Sequence, residues 1–159
     1  MFKIYSYIVS VSLLLYIFSL MACDSNAVFE KNIKLDDNRW YQENVIRLET
    51  EINDTISPMN LYINVRNASG YQFRNLFVFL TTTTPENTKS RDTLELILAD
   101  DAGKWLGEGM GDIWDNRILF KKNFQFPSAG KYTFELEQAM RVNPLPQIMD
   151  AGIRIEKAQ

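Results

Sequence analysis

Apolar and polar residues alternate along several short segments of this chain, and this two-residue period restricts the fold more than any other feature. Segment 60–67 (NLYINVRN) is the clearest case, with Leu61, Ile63 and Val65 at every second position. Successive side chains of a β-strand point to opposite faces, so the pattern predicts a strand with one buried face. No window after residue 23 sustains apolar residues at the helical spacing i, i+3, i+4 and i+7. The folded part of the chain is therefore predicted to be all-β.

Further segments carry strand character. Segment 131–138 (KYTFELEQ) alternates with three inward residues, which are Tyr132, Phe134 and Leu136. Segment 76–80 (LFVFL) is apolar on both faces, as in a central strand, and segment 104–111 (KWLGEGMG) is either a tightly packed strand or a glycine loop. The other predicted strands are 40–49, 91–98, 116–126 and 151–157. About eight strands separated by Gly, Pro, Asn and Asp turns predict one antiparallel β-sandwich, of jelly-roll or immunoglobulin-like type.

The first 22 residues have the composition of a removable export signal. Lys3 precedes an uncharged apolar run, 4–21, and residues 20–23 read LMAC. This ending resembles the bacterial lipobox, in which the cysteine is acylated and becomes the first residue of the mature protein. Cys23 is the one cysteine of the chain, so it is predicted to carry the lipid anchor. An uncleaved transmembrane anchor is the alternative, because the apolar run is long enough to span a bilayer.

The residues after the cysteine predict a spacer. Segment 24–35 (DSNAVFEKNIKL) is polar with scattered apolar residues, a composition typical of a tether. The predicted organisation is therefore a signal peptide at 1–22, a lipidated cysteine with its tether at 23–35, and a β-sandwich domain at 36–159.

Composition excludes several classes of function. The chain carries 17 basic and 20 acidic residues and no basic run, so it lacks the positive surface that nucleic-acid binding requires. It contains no histidine, which removes Ser-His-Asp and Cys-His catalysis and His-ligated metals. A single cysteine makes neither an internal disulfide nor a multi-thiolate metal site. We predict no enzymatic activity, no cofactor and no metal.

Carboxylates are the catalytic material that remains, and three pairs stand out. The pairs are Asp100 with Asp101, Asp112 with Asp115, and Glu135 with Glu137. An Asp in a glycine-containing turn usually caps backbone amides, and the spacing of the second pair matches no calcium loop. The third pair lies on one face of a strand, at a separation compatible with glycosidase carboxylates, yet a solvated face is the favoured interpretation.

The region 103–114 is the predicted partner-binding surface. It supplies Trp105, Met110 and Trp114, residue types that are enriched in the cores of interfaces. Its glycines remove side chains that would hold another backbone away. Arg141, beyond the last long strand and free to form bidentate contacts, is added to this set. Two alternatives remain: the tryptophans belong to the sandwich core, or they stack on sugar rings in a carbohydrate-binding module.

Gln138 is predicted to point inward, because it follows the outward Glu137 in the alternation. A buried amide must find hydrogen-bond partners. We therefore expect it to hold the loop that contains Pro144 and Pro146.

The order and spacing of several motifs resemble the GldH family of gliding motility lipoproteins of the Bacteroidota. The motifs are GKWLGEGMGDI at 103–113, GKYTF at 130–134, EQAMR at 137–141, LPQI at 145–148 and DAGIRIE at 150–156, with Tyr71 and Asn75-Leu76-Phe77 upstream. The resemblance covers nearly all of the mature domain, and the lipobox at Cys23 agrees with it.

This resemblance implies a lipid-anchored component of the cell envelope, where such lipoproteins accompany the gliding machinery and the type IX secretion apparatus. It implies other gliding or secretion envelope proteins as partners, an outer-membrane location facing the periplasm, and neither catalytic residues nor a cofactor. A carbohydrate- or small-ligand-binding envelope lipoprotein is the alternative function.

Overall fold

The computed structural model describes residues 26–158, where regular structure consists of β-strands and one 3₁₀ turn at Asp36–Asn38. The strands are β1 (Ala27–Lys34), β2 (Arg39–Trp40), β3 (Ile46–Ile52), β4 (Met59–Ala68), β5 (Asn75–Thr83), β6 (Lys89–Ile97), β7 (Glu108–Met110), β8 (Ile113–Phe124), β9 (Gly130–Gln138), β10 (Leu145–Pro146) and β11 (Ile148–Lys157). No helix between residues 26 and 158 is long and apolar enough to cross a membrane. The predicted signal segment 1–22 and Cys23 lie outside the described residues.

The strands form two main antiparallel sheets. The five-stranded sheet has the order β1-β11-β4-β8-β7, and the four-stranded sheet has the order β3-β9-β5-β6. A short ladder joins β2 to β10. The predicted all-β sandwich is confirmed.

The core lies between the inward faces of the two sheets. Leu61, Ile63 and Val65 of β4 are buried, as the alternation predicts. The inward residues of β9 are buried as well; they are Tyr132, Phe134 and Leu136. Burial of each such side chain contributes about 1.5–3 kcal/mol, so these two strands hold the sheets together. The sequence correctly predicted which side chains of β4 and β9 point into the core.

The predicted tether is wrong from Ala27 onward. Residues Ala27–Lys34 form β1, which pairs with β11 along its whole length, and Leu35 is buried in the core. β1 is an edge strand whose polar side chains face outward, and backbone pairing to β11 rather than an apolar pattern holds it in place. A sequence that looks like a linker is therefore part of the sheet.

Two other predicted strands are divided in the structure. Segment 40–49 contributes to β2 and β3, which the turn at 41–45 separates. Within segment 104–111 only Glu108–Met110 forms a strand, β7, and the residues before it are irregular apart from a bridge between Ala99 and Trp105. Both interpretations of the glycine-rich segment are therefore partly correct.

Candidate partner-binding surface

Four aromatic residues meet where the loop between β4 and β5 approaches β7 and the start of β8. We call Tyr71, Phe73, Trp105 and Trp114 the aromatic cluster. The rings of Trp105 and Trp114 stack with centroids 6.4 Å apart and an interplanar angle of 27°. Tyr71 contacts Trp105 at 6.5 Å and Phe73 edge-on at 5.5 Å. The structure thus brings together the two tryptophans that the sequence singled out.

Trp114 is held by its neighbours on both sides of the β7–β8 hairpin. Its Nε1 donates a hydrogen bond of 2.9 Å to Ser69 Oγ. Gly109 is its direct partner in the ladder, and a Cβ at position 109 would lie 2.3 Å from Trp114 Cε3. The glycine is needed because the indole ring occupies the space where a side chain would be.

Gly107 has a similar role. A Cβ there would lie 2.7 Å from both Asn116 Oδ1 and the Asp115 carbonyl oxygen. The sequence interpretation assigned the space at these glycines to an approaching partner. The structure differs, because side chains of the same chain already fill the space at Gly107 and Gly109.

The tryptophans lie neither wholly inside the core nor wholly in solvent. Trp105 and Trp114 are half-buried, and Trp105 packs against the core from its edge. Leu106, next to Trp105 in the chain, exposes 57% of its surface, whereas Ile113, which is 38% exposed, lies on the opposite face of β8 from Trp114. Exposed apolar side chains beside half-buried tryptophans are typical of a protein-binding patch.

Tyr71 anchors the cluster to the core. It is nearly fully buried, and its hydroxyl donates a hydrogen bond of 2.9 Å to the Asn75 carbonyl. Burial raises the pKa of the Tyr71 hydroxyl above its usual range, so the group stays protonated and remains a donor. Tyr71 therefore fixes the position of the aromatic cluster relative to the core.

A buried amide pair next to the cluster was missed by sequence reasoning. Asn116 of β8 donates from Nδ2 to Asn67 Oδ1 at 2.8 Å and to the Val65 carbonyl at 3.1 Å. Both asparagines are buried, so this network fixes the register of β8 against β4. The alternation in β4 could have predicted the burial of Asn67, since this residue continues the inward series of Leu61, Ile63 and Val65.

The other predicted partner residues are placed elsewhere or lie outside what can be described. Met110 ends β7, and the position of its side chain is outside the described structure. Arg141 is exposed and lies in the loop between β9 and β10, a different loop from those that carry the aromatic cluster. The grouping of Arg141 with the tryptophans therefore stays a prediction.

Gln138 is buried, as the alternation predicts. Its Nε2 donates to the Val142 carbonyl at 3.1 Å, and its Oε1 accepts from the Met140 amide at 2.8 Å. Gln42 adds a bond from Nε2 to the Met140 carbonyl at 2.9 Å. The predicted role of Gln138 in holding this loop is confirmed.

At least one carboxylate of each of the three pairs has a structural partner. Asp100 Oδ1 accepts from the amides of Ala102 at 3.0 Å and Lys104 at 2.8 Å, which is turn capping. Glu137 pairs with Arg91 through two bonds of 2.7 and 3.1 Å. Glu135 pairs with Arg47 at 2.9 Å and Asp115 with Arg66 at 2.5 Å. Residues 26–158 contain no group of three or more carboxylate or cysteine ligands placed to hold a metal ion.

The likenesses to solved structures are weak. "Structure of infectious bursal disease virus Gx strain" matches with a TM-score of 0.32 and 14% identity over 84% of this chain and 34% of that chain. A second, "Crystal structure of infectious bursal disease virus VP2 subviral particle", has a TM-score of 0.30 and 15% identity over 84% of this chain and 33% of that chain. Scores this low support no argument about fold or function.

Sequence comparison gives a clear result. The family model described as GldH lipoprotein matches residues 27–155. The "Gliding motility lipoprotein GldH homolog" of Christiangramia forsetii is 31% identical over 157 residues, with 92% of this chain and 96% of that protein covered. The "Gliding motility lipoprotein GldH" of Flavobacterium johnsoniae is 32% identical over 152 residues, with 91% and 94% covered. The chain therefore belongs to the GldH lipoprotein family.

Proposed function

We propose that this chain is a non-enzymatic component of the gliding motility machinery and of the associated type IX secretion apparatus, and that it acts by binding other envelope proteins. As a member of a lipoprotein family it belongs to the membranes of the cell envelope. The names of its relatives support the motility role.

The aromatic cluster is the observation that carries the binding mode. Interface energy is concentrated in a few large side chains, with tryptophan prominent among them. Here two tryptophans stack against each other, and Leu106, which follows Trp105, is exposed. Because Tyr71 and the Asn67–Asn116 pair hold the surroundings rigid, a partner would dock without ordering this surface first.

The anchor is proposed to be the lipid on Cys23, with the protein on the outer membrane and facing the periplasm. The first strand of the described residues begins at Ala27, only a few residues after Cys23. A spacer this short keeps the sandwich close to the lipid surface and restricts it to partners at that surface.

Deletion of the gene followed by complementation tests the proposal. The deletion should reduce spreading on surfaces and the secretion of extracellular proteins, and the wild-type chain should restore both. A Trp105→Ala/Trp114→Ala variant that accumulates normally should not restore them, whereas Tyr41→Ala, at an exposed aromatic outside the cluster, should. Normal spreading and secretion in the deletion strain would contradict the proposal.

Saccharide binding is the second candidate, since half-buried indoles are also found in sugar sites. Part of the ring surface that a sugar would need is occupied, because Trp114 contacts both Gly109 and Trp105. Calorimetric titration with a panel of saccharides separates the two functions: heat of binding supports the sugar site, and its absence together with partner co-purification supports the protein interface.

A further inference from the structure

A second candidate site lies on the outer face of the five-stranded sheet and shares Leu106 with the surroundings of the aromatic cluster. A groove of about 680 Å³ runs from this face to the edge of β8, and we call it the outer groove. Its polar lining comes from five strands. Its charged members are Glu30, Arg66, Glu108, Asp115, Arg117 and Asp150, and Asn64 lies among them. Outward positions of a sheet are ordinarily solvated, yet Asn64 and Asp150 are buried.

The side-chain oxygen of Asn64 is a hydrogen-bond acceptor that receives no hydrogen bond from residues 26–158. The residue is only 8% exposed, and its Nδ2 donates to Glu30 Oε1 at 2.8 Å and to Asn32 Oδ1 at 3.2 Å. The Glu30 carboxylate accepts hydrogen bonds only, so it fixes which end of the amide faces it. Oδ1 is left buried with no hydrogen-bond partner in the described structure. Groups of this kind are rare in folded proteins because they lose the bonds that water would supply.

The charges of the outer groove favour a cation. Four carboxylates line it with two guanidinium groups, those of Arg66 and Arg117. A third guanidinium, that of the buried Arg154, pairs with Glu30. Arg66 is already engaged, since it pairs with Asp115 and contacts Asp150 Oδ2 at 3.2 Å. With three guanidinium groups against four lining carboxylates, a positively charged donor would offset the remaining negative charge and satisfy Asn64 Oδ1 at the same time.

The groove also follows a free strand edge. β7 pairs with β8 only at residues 113–115 of β8. Along 116–124, β8 has no neighbour on that side among the strands of the described chain. Leu106, 57% exposed, and Ile118 line the groove beside this edge. An extended peptide can pair with such an edge and place alternate side chains in adjoining pockets.

We propose that the outer groove binds an extended segment of a partner protein, and that a lysine or arginine of this segment donates a hydrogen bond to Asn64 Oδ1. An apolar side chain of the same segment lies against Leu106 and Ile118. The inference rests on the proposed function in one respect, that the chain works by binding proteins, and it adds the chemistry of the segment that is recognised.

Peptide binding by the purified, detergent-solubilised full-length protein tests the proposal without any motility assay. The probe is a blocked, fluorescent octapeptide in which lysine alternates with valine, measured by anisotropy. Two matched peptides carry norleucine or glutamate in place of lysine. The lysine peptide should bind, the norleucine peptide should bind at least about tenfold more weakly, and the glutamate peptide should not bind.

Three variants locate the site. Asn64→Leu removes the free acceptor and should weaken binding of the lysine peptide about tenfold or more. Glu108→Gln removes the charge of an exposed residue of the groove, so it should weaken binding of the lysine peptide about twofold. Glu51→Gln makes the same charge change on β3 of the other sheet and should have no effect.

If Asn64→Leu does not fold, the comparison of Glu108→Gln with Glu51→Gln decides alone. The proposal is overturned if the lysine peptide fails to bind at millimolar concentration, if the glutamate peptide binds equally well, or if Glu108→Gln and Glu51→Gln behave alike. None of these outcomes affects the complementation result, so this inference and the proposed function can fail separately.

Discussion

Gly109 and Trp114 face each other across the β7–β8 hairpin, and the indole of Trp114 covers the glycine backbone so closely that no Cβ fits between them. This contact orients Trp114 for its stack on Trp105. The glycine-rich sequence therefore shapes the aromatic cluster from within the chain.

Gly109→Ala should destabilise the protein by about 1–3 kcal/mol, because the new methyl group would displace the Trp114 ring. Chemical denaturation measures the loss. In a Trp114→Ala background the same change should cost almost nothing, since the clashing ring is gone. Equal losses in the two backgrounds would show that the ring contact is not the cause.

Trp114→Ala should reduce stability less than removal of a core aromatic. Phe134 is buried between the sheets, and its replacement by alanine should lower the free energy of unfolding by about 3–5 kcal/mol. Trp114 is only half-buried, and its replacement removes one stacking contact and one hydrogen bond. Thermal unfolding of both variants gives the comparison. A near-native melt with lost co-purification of envelope partners is the expected result, and a drop as large as that of Phe134→Ala would refute the interface assignment.

Gln138→Leu should cost about 1–3 kcal/mol, because the Met140 amide and the Val142 carbonyl lose their partner. Local hydrogen exchange should increase across residues 139–143. Gln72→Leu, at an exposed position, is the matched control and should leave stability within about 0.5 kcal/mol of wild type. If Gln138→Leu leaves the stability unchanged, the loop is held by other contacts.

Asp54 should stabilise the fold above its unfolded pKa and lose this effect in acid. Hydrogen bonds from the Ser57 side chain and amide and from the Ile56 amide lower the pKa of the Asp54 carboxyl from 3.8 to about 2. Because the folded pKa lies below the unfolded value, the stabilisation is complete above about pH 5 and disappears as the pH falls towards 2.

Asp54→Asn keeps an acceptor but removes the charge, so it isolates this effect. Its melting temperature should lie below that of wild type at pH 6 and converge with it near pH 2. A difference that persists unchanged down to pH 2 would contradict the lowered pKa, as would an NMR titration of the Asp54 carboxyl with an ordinary midpoint.

Cys23→Ser should leave an unacylated precursor that retains residues 1–22, because the lipobox reaction needs the thiol. Mass spectrometry of the membrane fraction and detergent partitioning measure this. Ala27→Ser, a small polar change at the start of β1, is a control that should be processed normally. Processing of the Cys23→Ser variant at residue 23, with continued partitioning into detergent, would disprove the anchor.

The sequence by itself determined which segments are strands and which way many of their side chains point. Leu61, Ile63 and Val65 are buried, and so is Gln138, because the direction of a side chain in a strand depends only on its place in a local two-residue alternation. The family was also readable from sequence, since it depends on the order of motifs along the chain.

Only the tertiary structure decided which strands become neighbours, and this placed both candidate sites. β1 looked like a tether because its place in the sheet depends on pairing with β11, at the other end of the chain. Glu30 and Asn64 looked like solvated residues, and they meet because β11 lies between β1 and β4. Trp105 and Trp114 stack because Gly109 leaves room for the indole ring. Contacts between residues distant in sequence are set by sheet order, and no local pattern encodes that order.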